Sequence, residues 1–174
     1  MKYARAFTLV ELLVVIAVIG ILATIVLNSV QEVRVKALYA RAVAEMRNIA
    51  VAGAALQGDT DLYPNGAENI CRTGGDLPAD NEVNLNEAAA GLTANGGSWP
   101  GWSGPYISEA IDPWGTPYFL DEDYECNGVE RGCEEGASTT ISALVSCGPD
   151  TDTSGPNGSC AYNNDNAVFP VTCD

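Results

Sequence analysis

Glu11 is the only charged residue between Phe7 and Leu27, a run of 21 residues that would span about 31 Å as a helix, the thickness of a bilayer's hydrocarbon core. A lone carboxylate there costs on the order of 2.5 to 3.5 kcal/mol, so it calls for an interfacial position, a proton or a partner. The second chemical set is cysteine: Cys71, Cys126, Cys133, Cys147, Cys160 and Cys173, all beyond the apolar run. With no His and no C-x-x-C a zinc site is poorly supported, whereas an even count points to disulfides and an oxidising compartment. Nearness along the chain pairs Cys126 with Cys133 and Cys147 with Cys160, leaving Cys71 for Cys173. The third set is oxygen. Asp150, Asp152, Asn157, Asn163, Asn164 and Asp165 crowd a segment too rich in Gly and Pro for regular structure. Asp150-x-Asp152-x-Ser154-Gly155 mimics the start of an EF-hand loop, but its twelfth position is Ala161 where a bidentate Glu belongs, and no second helix follows.

Catalysis needs a nucleophile with a base, a carboxylate pair in a cleft or a metal with an open position. The acids here are scattered through Gly-rich loops, the cysteines are accounted for by pairing, and no imidazole exists. The chain therefore reads as a structural or binding protein rather than an enzyme.

These residues must be positioned by few elements. Before residue 48, Lys2, Arg5, Arg34, Lys36, Arg41 and Arg47 stand against Glu11, Glu32 and Glu45, a balance of +3. Beyond it only Arg72 and Arg131 stand against 20 acids, a balance of −18 that disfavours contact with nucleic-acid phosphates and suits cations such as calcium. No proline occurs before Pro64, and residues 28–56 are rich in Ala, Leu, Val and Arg, so the apolar helix is expected to continue to Leu56. Val30, Val33, Ala37, Leu38, Ala40, Val43, Ala44, Ile49, Val51 and Leu56, mostly three or four apart, are expected to pack on a globular head while a charged face meets solvent. From Gly58 the composition turns to Gly, Asp, Asn and Pro. A short helix is expected within 83–92, Trp99 and Trp102 as packing anchors, and strands over 117–121, 138–146 and 168–173. Three short antiparallel strands against one long helix make an α+β fold. The division is 1–6 leader, 7–27 transmembrane and assembly helix, 28–56 amphipathic continuation, and 57–174 globular head.

Three readings compete for the N-terminus. A secretory signal has a shorter apolar core and a small-x-small cleavage site, neither of which is present. A plain anchor explains the length and the basic Lys2 and Arg5, but leaves Glu11 unexplained. The third is a leader cut on its cytoplasmic side. "RAFTLVELLVVIAVIGILATI" resembles the N-terminus of type IV pilin-like proteins, the prepilins and pseudopilins: a basic leader, a cleavage point, then Phe-Thr-Leu-x-Glu opening a long apolar helix. The resemblance implies cleavage between Ala6 and Phe7 by a prepilin peptidase and N-methylation of Phe7. It also implies that Glu11 receives the amino terminus of a neighbouring subunit. The usual residue before the cut is Gly, and here it is Ala6. Elementary electrostatics agrees with that role: the positive end of the helix dipole favours a carboxylate one turn in, and a single buried charge pair sets register along an otherwise featureless apolar seam.

"GPYISEAIDPWGTPYFL" is similar to the segment of the major pseudopilin of type II secretion systems in which D-P-W-G-x-x-Y enters the first strand; here these are Asp112, Pro113, Trp114, Gly115 and Tyr118. Pro at a turn's second position, Gly at its end and a buried Trp are sufficient local reasons for the motif. The loop from Ser146 to Asp165 resembles the same family's calcium loop, which implies Ser146, Gly148, Asp150, Asn163 and Asp165 as ligands. Cys147 and Cys160 bracket it, so a disulfide would fix what the ion fixes elsewhere. The resemblance implies a subunit of a helical extracytoplasmic filament, either a type II secretion pseudopilus or a type IV pilus for adhesion, motility or DNA uptake. Its implied partners are further copies of itself, the peptidase, an inner-membrane assembly machinery, and membrane lipid before assembly. The implied location is the inner membrane by one N-terminal helix, with the head in the periplasm or outside the cell. A monomeric membrane-tethered binding module would share helix and head but has no need of Glu11.

Overall fold

The computed structural model describes residues 7–68, 81–96, 99–126, 132–133, 139–161, 163 and 165–171. Helix α1 spans Leu9–Thr60, unbroken, as the absence of proline before Pro64 requires. It ends where Asp61 adopts a left-handed φ of 59°, its N–H still bonded to the Gln57 carbonyl at 2.8 Å, with the Thr60 hydroxyl folded back on Leu56 C=O at 2.8 Å. The chain divides into two compact units whose boundary lies between Leu38 and Tyr39, inside α1.

In the first unit the large apolar side chains are exposed, from Phe7 at 79% to Val33 at 64%, and this part of α1 is long and apolar enough to cross a membrane. A hydrophobic helix bare on every side is one built for a non-aqueous or a protein surround.

In the second unit α1 buries Tyr39, Ala42, Met46, Ile49, Ala52, Gly53, Leu56 and Thr60, a mostly three-four spacing that keeps one stripe on the core. That stripe overlaps the expected one at Ile49 and Leu56, with half-buried Val43 packed against it, and departs from it elsewhere. Val51 is 70% exposed, and Val30, Val33, Ala37, Ala40 and Ala44 are exposed as well. Apolar residues occupy two faces of this helix, so periodicity alone does not choose between them. The solvent face accordingly mixes Ala40, Ala44, Val51 and Ala54 with the charged Arg41, Arg47 and Asp59.

Among the described residues the sheet has four strands, one more than expected: β1 Val83–Asn84, β2 Phe119–Cys126, β3 Thr139–Ser146 and β4 Ala167–Pro170, antiparallel in the order β1-β2-β3-β4. The helix expected within 83–92 is instead β1 followed by a 3-10 turn at Ala88–Ala90. Pairing of Val83 with Leu120 and of Asn84 with Phe119 overrides the local helix preference of the Ala run. At Gly91, φ is 73° and an added Cβ would lie 2.7 Å from the buried Trp99 ring, which closes the turn.

The two sheet faces serve two cores. Leu120, Leu144 and Phe169, paired across the strands, face α1; Phe119, Val145 and Val168 face away from it into a second core with Tyr124, Cys126, Ala143, Cys147 and Cys160. A bulge between Asp121 and Tyr124 inserts one extra residue into β2. Without it Tyr124 and Cys126 would point to the α1 side; with it both reach the second core.

Candidate functional site

Thr8 and Glu11 open α1 as a reciprocal cap. The Thr8 N–H and hydroxyl donate to Glu11 Oε2 at 2.9 and 2.8 Å, and the Glu11 N–H donates to Thr8 Oγ1 at 3.3 Å. This is the Thr-x-x-Glu capping box, in which each side chain satisfies a backbone donor that the first turn leaves without a partner. Thr8 thus belongs to the site with Glu11, and the Thr8-Leu9-Val10-Glu11 spacing carries the signal for it. Glu11 Oε1 receives no hydrogen bond among the described residues. The carboxylate is thus held in place by one oxygen and presents the other. Phe7 is 79% exposed beside it, and Ala6 lies outside the described residues.

Inside the head, the D-P-W-G turn is built around Asp112, which is 4% exposed. Its Oδ1 accepts the N–H groups of Trp114 and Thr116 at 3.0 and 2.9 Å, and its Oδ2 accepts the hydroxyls of Thr116 and Ser146 at 2.7 and 2.6 Å. Four donors replace the water a buried carboxylate loses. The Gly115 N–H closes the turn on Asp112 C=O at 3.0 Å, with Gly115 at a φ of 98°. Two residues of the same motif reach α1. Trp114 meets Tyr39 edge to face at 4.9 Å, and the Tyr118 hydroxyl donates to Glu45 Oε2 at 2.7 Å, while Glu45 Oε1 pairs with Arg41 at 2.7 Å. Burial, and after it the bond to Glu45, push the Tyr118 phenol well above its usual range, so it stays protonated as the donor. The motif is therefore a structural joint between α1, β2 and β3.

The loop after β3 is closed by the Cys147–Cys160 disulfide, and Cys126–Cys133 closes the end of β2; both are pairs expected from nearness in sequence. Cys71 and Cys173 lie outside the described residues. Of the five residues expected at a calcium ion, Ser146 is fully buried and turned onto Asp112. Asp150 accepts the Asp152 N–H on Oδ1 at 3.1 Å and the Asn163 amide on Oδ2 at 2.7 Å. The Asp165 N–H donates to Asn163 Oδ1 at 3.0 Å, which fixes the Asn163 amide with its nitrogen toward Asp150, and the Asp165 carbonyl accepts the Tyr39 hydroxyl at 2.7 Å. Gly148 is required here, since at its φ of 76° a Cβ would lie 1.9 Å from Asp165 O. Ser146 is thus spent on Asp112 and Asp150 on Asn163, so the expectation drawn from this arrangement is a loop held by its disulfide and these bonds rather than by an ion.

The expected consequence is thermal. In full-length, detergent-solubilised protein, melting midpoints with millimolar calcium and with chelator should agree within about 1 °C, whereas an ion at a hundredfold excess over its Kd adds about 2.7 kcal/mol, several degrees. Reducing Cys147–Cys160 should lower the midpoint instead, because closing a loop of this size contributes about 3 kcal/mol. A calcium-dependent rise abolished by Asp150→Ala would reverse this assignment.

Residues 1–27 match the family model described as the prokaryotic N-terminal methylation motif. No match was found among curated proteins or among solved structures.

Proposed function

We propose that this chain is a structural subunit of a helical extracytoplasmic filament, assembled through its N-terminal helix and built like a type II secretion pseudopilus. The observation that carries the reading is the conjunction at one end of α1: a methylation motif over residues 1–27 and a capped Glu11 that presents Oε1 at the start of an exposed apolar helix. A peptidase cut between Ala6 and Phe7 leaves a cationic, methylated amine at Phe7. The Glu11 carboxylate of one copy receives the amine of the next, while apolar side chains supply adhesion without register. Two disulfides in the head accord with an oxidising space beyond the inner membrane. That same disulfide-built second core favours, as a second reading, a type IV pilus exposed on the cell surface.

Mass spectrometry of membrane-extracted or assembled protein is expected to find N-methyl-Phe7 as the first residue. A retained Met1, or a start beyond Leu27, would overturn the reading. Sheared cell-surface fibres containing this chain would select the pilus; secretion lost on deletion without such fibres would select the pseudopilus.

A further inference from the structure

A cleft of about 500 Å³ opens between α1 and the sheet, wholly within the second unit. Its floor is the row Leu120, Leu144 and Phe169, paired across β2, β3 and β4, with Ile49 and Leu85 beside it; all but Phe169 are buried. Elsewhere α1 covers the sheet with Tyr39, Met46 and Leu56, but along the cleft it presents Ala50, Gly53 and Ala54. A Cβ added at Gly53 would meet only the Pro64 ring, 3.7 Å away. The helix side chains are too short to close the space, and Arg47 is the one charged residue that lines it. We propose that this cleft binds a free single-chain aliphatic carboxylate of medium length, its tail laid on the leucine floor and its carboxylate held by Arg47.

Size and charge name the occupant. The cleft falls within the roughly 300 to 1,000 Å³ of small-molecule sites, which are mostly apolar with a few polar groups that fix orientation. From Arg47 to Ala54 the helix rises about 11 Å, the reach of an extended tail of about eight to ten carbons. Arg41 is already paired with Glu45 at 2.7 Å, whereas Arg47 has no ion-pair partner among the described residues. Its guanidinium offers a carboxylate two parallel hydrogen bonds, and its stem can lie along the apolar wall. The balance of −18 beyond residue 47 repels small anions from the head as a whole. A carboxylate without a tail therefore gains little here: the floor supplies affinity by taking methylenes out of water, and Arg47 supplies orientation.

The test is photolabelling of the full-length protein in phosphatidylcholine nanodiscs, with decanoic acid carrying a diazirine near the end of its chain. Mass spectrometry of peptides compares label in residues 47–64 and 165–171 with label in residues 7–27, which report the probe dissolved in lipid. Head label is expected in the wild type and should be displaced by unmodified decanoate. Decanol should displace it about tenfold less well, for want of the charge-assisted bond, and hexanoate about a hundredfold less well or worse, at about fourfold per methylene. Arg47→Gln, at an exposed position, should lower head label about tenfold with the melting midpoint unchanged. Ala54→Leu, also exposed and favourable to helix, should narrow the cleft and remove the label. Label confined to residues 7–27, or displaced equally by decanol and decanoate, would overturn the inference. So would head label that is indifferent to Arg47→Gln, or that falls as more copies are placed in each nanodisc, which would give the cleft to a second copy.

Discussion

Glu11→Val is expected to leave the monomer inserted in the membrane and its head folded, yet to reduce filament yield on the order of a hundredfold. Removing a carboxylate from an apolar helix lowers its insertion cost. The loss comes at assembly, where the incoming amine is buried without its partner; breaking a buried charge pair costs about 3–5 kcal/mol. Valine also removes the cap on Thr8, worth about 1 kcal/mol. Glu11→Gln separates the two effects, because Gln keeps the capping box with Thr8 but carries no charge. If the charge matters, the Gln variant fails nearly as badly as the Val variant; if the cap matters, Gln assembles and Thr8→Val does not. Native filament yield from Glu11→Val would remove the argued role altogether.

In the head, Asp112→Ala is expected to be the most damaging single substitution outside the hydrophobic core. It strands the Trp114 and Thr116 N–H groups and the Thr116 and Ser146 hydroxyls in a buried site, and lost donors to a buried carboxylate cost about 3–5 kcal/mol in total. At roughly 4 °C per kcal/mol, the melting midpoint should fall by more than ten degrees. Asp112→Asn should cost about a third of that, since the hydroxyls can rotate to accept from its amide while Oδ1 still takes both N–H groups. Because Trp114 and Tyr118 tie the same turn to α1, Asp112→Ala should also shift Trp fluorescence toward that of an exposed indole. An Ala variant melting within about 2 °C of wild type would show that the turn is held by its backbone alone.

Local chemistry was legible from the chain. The run to Pro64 is free of proline and rich in Ala, Leu, Val and Arg, which favours the long helix that ends at Thr60. Beta-branched and aromatic runs mark three of the four strands, and short separations pair four of the cysteines as they occur. The charge in the apolar run, with Thr8 three residues before it, marks the capped start of α1, because capping acts over one turn of helix.

What the chain could not reveal was every choice that depends on contacts between distant segments. Apolar residues lie on both sides of α1, so only the presence of the sheet against Tyr39, Met46 and Leu56 decides which side is buried and leaves Val51 in solvent. Val83 and Asn84 become a strand because β2 offers them an edge, although the Ala run that follows them favours helix. The bulge at Asp121 to Tyr124 reverses which residues of β2 face each core, and no alternation rule predicts an inserted residue. Composition shows the Ser146 to Asp165 loop to be rich in oxygen side chains, but not that Ser146 turns to Asp112 or that Asp150 meets Asn163. Residue type and spacing determine which interactions are available; burial and pairing across the fold decide which are made, since a polar atom's energy depends on the partner it finds once water is gone.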